Sequence, residues 1–229
     1  MTSFAIELGP QPSVAIAGST QRFPVGRIYC VGRNYADHAR EMGHDPDRED
    51  PFFFMKPANA VVDSGASLPY PTGTKDVHHE IELVIALHKG GANIAQDQAL
   101  DHVWGYGVGL DMTRRDLQAE AKKAGRPWEM GKSFDQSAPC APLHPASQVG
   151  HISKGAIWVK VNGVTKQQGD VAQLIWNIPE MIAYLSKLVT LQAGDLIYTG
   201  TPAGVGPVKA GETLDGHVDG LTPLQVKYV

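Results

Sequence analysis

The chain has 229 residues, a formal net charge of −4, 42% hydrophobic and 19% charged residues, and two cysteines. That size and balance fit one well-cored domain, alone or with a small appendage. Scattered Lys and Arg give no electrostatic footprint for nucleic acid, no apolar run reaches a membrane span, and the first residues lack the basic start and apolar stretch of a signal peptide, so a cytoplasmic protein with no nucleic-acid or membrane partner is expected.

Residues 1–26 are punctuated by Gly, Pro and Ser and read as an N-terminal arm or hairpin, with the main domain over 27–229. Residues 28–31 look like a short buried strand running into Gly32, Arg33 and Asn34. Residues 35–42 then read as a short helix stopped by Gly43. On that helix His38 and Glu41 stand at i and i+3, where their side chains can meet. A histidine oriented by a carboxylate is a standard general base, although exposed His/Glu neighbours are also common on helices. The charged stretch 44–51 reads as a mobile loop, which would let the helix beside it act as a lid. Residues 52–55 suggest a buried aromatic strand closed by Lys56 and Pro57. Cys30 and Cys140 show no CxxC pattern and read as buried small residues.

The most informative stretch runs from His78 to Leu87. In a strand Glu80 and Glu82 point the same way, about 7 Å apart, while Ile81, Leu83, Ile85 and Leu87 point the other way. Two like charges at that spacing oppose folding unless solvated or joined by a hard cation. Residues 104–111 read as a second strand in which Gly105, Gly107 and Gly109 share a face with Asp111, as though clearing room for a ligand or another backbone. Three carboxylates without a nearby His or Cys at ligand spacing suit Mg²⁺ or Mn²⁺. The plainer alternative is three unrelated surface acids.

Thr113 and Asp116 have the form of a capping box for a helix that should run to Ala124 and end at Gly125. Arg115 and Gln118 lie i, i+3 on it and could offer donors to an anion beside Asp111; otherwise they belong to a solvated face. Lys132 follows the turn at Gly131 and is either a surface lysine or a group that stabilises negative charge. Residues 156–161 followed by Asn162 and Gly163 form a strand entering a tight hairpin turn, and residues 178–188 show helical apolar spacing with Pro179 in the first turn. Residues 195–199 read as a strand. The Gly-rich stretch 200–207 has neither a P-loop ending nor GxGxxG spacing, yet its N–H groups, such as that of Gly200, and the Thr201 hydroxyl could cradle a carboxylate. Strands outnumber helices, with no βα alternation and no repeat, which points to a mainly β, mixed α+β domain with a few short helices.

In order along nearly the whole chain, Tyr29 to Tyr35 with His38 and Glu41, Phe54 to Pro57, His79 to Leu83, Leu110 to Thr113 with Arg115, Asp116 and Gln118, Pro127 and Trp128 with Lys132 to Phe134, and Thr199 to Pro202 with Gly204 to Pro207 resemble the fumarylacetoacetate hydrolase superfamily in its short single-domain branch. The resemblance implies a β-sandwich roll like that family's C-terminal domain, usually homodimeric, with Mg²⁺ or Mn²⁺ on Glu80, Glu82 and Asp111. It further implies His38 and Glu41 as the water-activating pair on a lid, Lys132 beside the metal, and substrate contacts from Arg115, Gln118 and Thr201, with Gly200 beside them. Among Arg33, Arg114 and Arg126, Arg33 is taken as the further substrate contact. The loop before Pro51 most resembles bacterial fumarylpyruvate hydrolases of gentisate breakdown. The expected reaction is metal-dependent cleavage of a carbon–carbon bond in a 2,4-dioxo acid, with an acylpyruvate hydrolase, an oxaloacetate decarboxylase or a superfamily isomerase on the same site as alternatives.

Overall fold

The computed structural model describes residues 5–7, 9–41 and 49–229, so most of the charged loop expected at 44–51 lies outside the described residues. Two sheets carry the core. One runs in the order Phe52–Lys56, Ile28–Gly32, Leu196–Tyr198, Ile81–Leu87, Val103–Leu110, Ala138–Cys140 and Val61–Asp63, with His144–Pro145 paired beside Val103–Leu110. The other comprises Val164–Asp170, Ala156–Val161, Thr213–Val218, Leu224–Tyr228 and Ser67–Leu68. Ile81, Leu83, Ile85 and Leu87 pack with Ile157, Val159, Leu214 and Val226 between them. Val84 and Ala86, on the opposite face, join Val14, Phe23, Cys30, Cys140 and Tyr198 in a second cluster. A strand apolar at nearly every position is thus buried on both faces, which a covered central strand requires. The hairpin of Ser13–Ala15 with Arg22–Pro24 supplies part of that cover.

The local signals explain most elements. Asn162 and Gly163 both adopt positive φ (49° and 78°), the conformation a two-residue turn needs to join Ala156–Val161 to Val164–Asp170. Asn177 caps the helix Ile178–Leu188 through the Glu180 N–H, and the Glu180 carboxylate returns the bond to the Asn177 N–H. The helix Ala36–Glu41 forms as expected over its described residues.

Four expectations need correction. Phe52–Lys56 is an edge strand with half-exposed rings and Met55 43% exposed, and its buried residue is Lys56. Thr113 does not cap the helix Arg115–Ala124; it sits in a short strand with its hydroxyl on the Asp111 carbonyl, and Asp116 instead accepts from Thr74 and from the Lys75 and Leu117 N–H groups. The strand through Glu80 is broken at that residue. Finally, Gly105, Gly107 and Gly109 do not open space for a ligand: a Cβ there would meet the His144 carbonyl at 2.1 Å, Leu143 Cδ2 at 2.8 Å and Val84 Cγ2 at 2.5 Å respectively. They let neighbouring protein close onto the strand.

Candidate active site

The break at Glu80 builds the site. The chain leaves Val77–His79, which belongs to a three-stranded sheet with Thr113–Arg114 and Gly206–Val208, and enters the large sheet at Ile81. The Glu80 carbonyl accepts the Asp111 N–H at 2.9 Å, which fixes the ends of the two acid-bearing strands together. Glu82 lies opposite Gly109 in register. As a result one carboxylate oxygen from each of Glu80, Glu82 and Asp111 lies within 4.8 Å of the others, and all three residues are buried.

Three cations face these three acids. Lys132 Nζ donates to Glu80 Oε2 at 2.6 Å and Asp111 Oδ2 at 2.7 Å. Arg115 Nη2 donates to Glu80 Oε1 at 2.6 Å and its Nη1 to Gln118 Oε1 at 2.6 Å. Lys56 Nζ stands 2.8 Å from Asp111 Oδ1 while its aligned hydrogen bonds go to the Met112 and Lys132 carbonyls. Oδ1 therefore feels the Lys56 charge yet has no hydrogen bond, leaving a buried oxygen with lone pairs to offer.

The three acids are not equivalent. Burial pushes the Glu80 carboxyl up, but Lys132 and Arg115 outweigh it and hold the group far below the usual carboxylate range. Burial pushes the Glu82 carboxyl well up, and the charges of Asp111 and Glu80 push it further, against one hydrogen bond from the Gly200 N–H at 2.8 Å. An all-oxygen, buried, partly unsatisfied set of this kind fits a hard divalent cation such as Mg²⁺ or Mn²⁺.

These acids line a pocket that also takes in Arg33, His38, Arg115, Gln118, Lys132 and Thr201. His38 Nδ1 lies 3.2 Å from Glu41 Oε2, so the other ring nitrogen is free for the pocket. Burial lowers the His38 pKa, although Glu80 and Glu41 raise it, which favours the neutral ring that can accept a proton. Both Glu41 oxygens also accept the Gly204 N–H at 3.1 Å. The Gly-rich stretch thus braces the site from behind: Gly204 holds Glu41, and Gly200 holds Glu82 rather than presenting its N–H to the pocket. Gly200 has φ +99°, and a Cβ there would come within 2.7 Å of the Asn34 Cβ.

Of the three arginines weighed as a further contact, Arg33, the one chosen, lines the pocket; Arg114 stacks on Phe134 at 4.5 Å, and Arg126 is exposed outside it. Sequence reasoning assigned no role to Lys56, Lys122 or Gln167. Gln167 is buried in Val164–Asp170; its Nε2 donates to Thr201 Oγ1 at 2.8 Å, and its Oε1 accepts the Ile81 N–H and faces His79 Nδ1 at 2.8 Å. Because Thr201 Oγ1 accepts there, its hydroxyl proton can be donated into the pocket.

Known proteins resemble this chain over most of its length. The family model for the fumarylacetoacetate (FAA) hydrolase C-terminal domain matches residues 27–229. A fumarylpyruvate hydrolase of Ralstonia sp is 46% identical over 187 residues, 81% of this chain and 97% of that one. The crystal structure of fumarylpyruvate hydrolase from Pseudomonas aeruginosa in complex with Mn²⁺ and pyruvate is 55% identical, covers 99% of each chain and superposes with a TM-score of 0.97. The mitochondrial oxaloacetate tautomerase FAHD1 of Homo sapiens is 42% identical over 200 residues, 87% of this chain and 90% of that one. With a family match over residues 27–229 and relatives of 42–55% identity that cover most of both chains, the chain belongs to the fumarylacetoacetate hydrolase C-terminal family.

Proposed function

We propose that the protein is a divalent-metal-dependent acylpyruvate hydrolase whose substrate is fumarylpyruvate, cleaved with water to fumarate and pyruvate in gentisate catabolism. The observation that carries this reading is the meeting of two separate devices in one pocket: an acid triad suited to a hard cation, and a neutral His38 held by Glu41. Binding alone needs only the first. The likeness to the Pseudomonas aeruginosa structure with Mn²⁺ and pyruvate supports the substrate class.

Glu80, Glu82 and Asp111 would hold the cation, which when bound polarises the oxygens of a 2-oxo acid and stabilises enolate charge. The chain's own groups do the rest. The free ring nitrogen of His38 takes a proton from water, with Glu41 fixing the tautomer and favouring the imidazolium; a base so placed contributes about 10²–10⁴-fold. The resulting hydroxide adds to the 4-oxo carbon, the bond between carbons 3 and 4 breaks, and pyruvate departs as its enolate to take up a proton at carbon 3. The ammonium of Lys132 lies against the triad, where it offsets developing negative charge. Arg115, Gln118 and Thr201 supply donors along the pocket wall. The same reading places the enzyme in the cytoplasm as a homodimer, to be checked by fractionation and light scattering.

Loss of the near-ultraviolet absorbance of fumarylpyruvate, followed with Mn²⁺ or Mg²⁺ and with a chelator while pyruvate and fumarate are assayed, tests the proposal. Chelator-sensitive loss with equal yields of both products is expected; no release of pyruvate from any acylpyruvate by folded, metal-loaded protein would overturn it. The 42% identity to oxaloacetate tautomerases favours a second reading, proton transfer on oxaloacetate. It is separated by products, since tautomerisation releases no fragment.

A further inference from the structure

Beyond the buried groups that serve the reacting end, the pocket carries two cations with no carboxylate partner among the described residues. Arg33 and Lys122 both line it, and both are only partly buried, whereas Glu80, Glu82, Asp111 and Lys132 are fully so. Each is laid on an aromatic ring: the Arg33 guanidinium 5.3 Å from the Phe52 centroid, and Lys122 Nζ 5.0 Å from that of Trp128. The two rings meet edge to face at 5.4 Å, so the cations sit on one aromatic wall. Arg33 Nε is buried without a hydrogen-bond partner, and the residue holds φ at 55°, which a non-glycine residue adopts at a cost. Glu49 is the acid whose field reaches Arg33, but the two form no ion pair among the described contacts. Burial lowers the Lys122 pKa, and the like charges of Arg33 and Arg115 lower it further.

A chain with a net charge of −4 has acids to spare, yet these two cations are left facing a cavity and each other. Unpaired like charges held on a rigid wall are preorganised for an anion. We propose that Arg33 and Lys122 form a distal anion subsite that selects acylpyruvates whose acyl end carries a carboxylate. The proposal rests on the hydrolase reading above and specifies which substrates that site prefers. Phe52, Phe54 and Trp128 also line the pocket, two of them crossing at 89° and two at 51°, and give it apolar ring surface against which an enoyl unit can pack. The terminal carboxylate then lies against the guanidinium and the ammonium.

The test compares kcat/KM for fumarylpyruvate with that for acetylpyruvate, the same 2,4-dioxo acid ending in a methyl group. Wild-type protein should favour fumarylpyruvate. Lys122→Met and Arg33→Met should each lower the ratio of the two values about 10- to 100-fold, the range for a lost hydrogen bond to a charged group, and chiefly through KM. Lys122→Arg should retain most of the preference, which loss of fold would not allow, and thermal melts identify any variant that fails to fold. Equal losses on both substrates, or no preference in the wild type, would overturn the subsite. Calorimetric titration of fumarate into wild type and the double variant provides a second readout independent of turnover. If no acylpyruvate is cleaved, the hydrolase reading fails, while weaker fumarate binding in the double variant still supports the subsite and unchanged binding refutes it.

Discussion

Glu82 gives metal binding a proton balance that can be measured. In the metal-free protein its carboxyl is pushed well above 4.5 by burial and by Asp111 and Glu80, so between about 4.5 and that raised value the folded state holds a proton that the unfolded chain releases. A divalent cation takes the ionised form, so binding in this window should expel about one proton per cation. Below the raised pKa each pH unit should weaken the apparent affinity about tenfold, or about 1.4 kcal/mol. Without metal the contribution of Glu82 to stability falls as pH rises through the window, and saturating Mn²⁺, which keeps the folded carboxyl ionised as it is in the unfolded chain, removes that slope. Titrating Mn²⁺ by calorimetry in buffers of equal pH and different ionisation enthalpy reads the proton count as a slope. Lys132 also borders the triad and could lose a proton, so Glu82→Gln is the control, and it should remove the release. A slope near zero across pH 5.5–8, or a full slope retained in Glu82→Gln, would show that Glu82 is not the protonated acid.

Further outcomes can be checked in parallel. His38→Ala should lower kcat about 10²–10⁴-fold with little change in Mn²⁺ affinity; an equal loss of both would refute a role confined to proton transfer. Because burial lowers the His38 pKa, the acid limb of kcat/KM should lie below the 6.5 of an ordinary imidazole. Glu41→Gln removes a group that raises that pKa, so it should move the limb to still lower pH while reducing kcat, and a limb moving upward would contradict the assignment. Gln167→Leu frees the Thr201 hydroxyl from its orienting donor and should raise KM several-fold with kcat nearly kept, whereas Thr201→Val in the same background should add little. Gly109→Ala would press a methyl group against Val84 and the Tyr198 ring, so a loss of about 1–3 kcal/mol is expected, read as a lower Tm.

The strands and the acid triad were legible because their signals are local. Alternation along 81–87 fixes which side chains enter the core, and two acids two residues apart stay close enough to converge even though the strand breaks at Glu80. The hairpin at Asn162 and Gly163 and the cap at Asn177 likewise depend on residues adjacent in the chain. What escaped depends on contacts made across the fold. Lys56 ends an aromatic run and has the form of a surface lysine, yet it is 1% exposed because Asp111, brought from another strand, neutralises it. Gln167 lies in a polar hairpin strand with nothing in its surroundings to mark it. The glycines of 105–109 gave a true signal of close approach, but sequence could not say that protein would fill the space. Thr113 and Asp116 had cap spacing, and a strand pairing with His78 took Thr113 first.

The discontinuity at Glu80 also bears on how the protein acquires its metal. Groups that would hold the cation or border it come from positions 80, 82, 111, 132 and 200, spread over more than half of the domain's chain order, and Glu80 is aimed only once two separate sheets have formed on either side of it. No hairpin or helix of this chain, folded alone, would contain the set. Loop closure over such separations makes assembly slow and all-or-none. Divalent cations should therefore bind after the folding barrier and slow unfolding without speeding refolding, so that metal protection in the cell reports completed chains and leaves nascent ones to the chaperones.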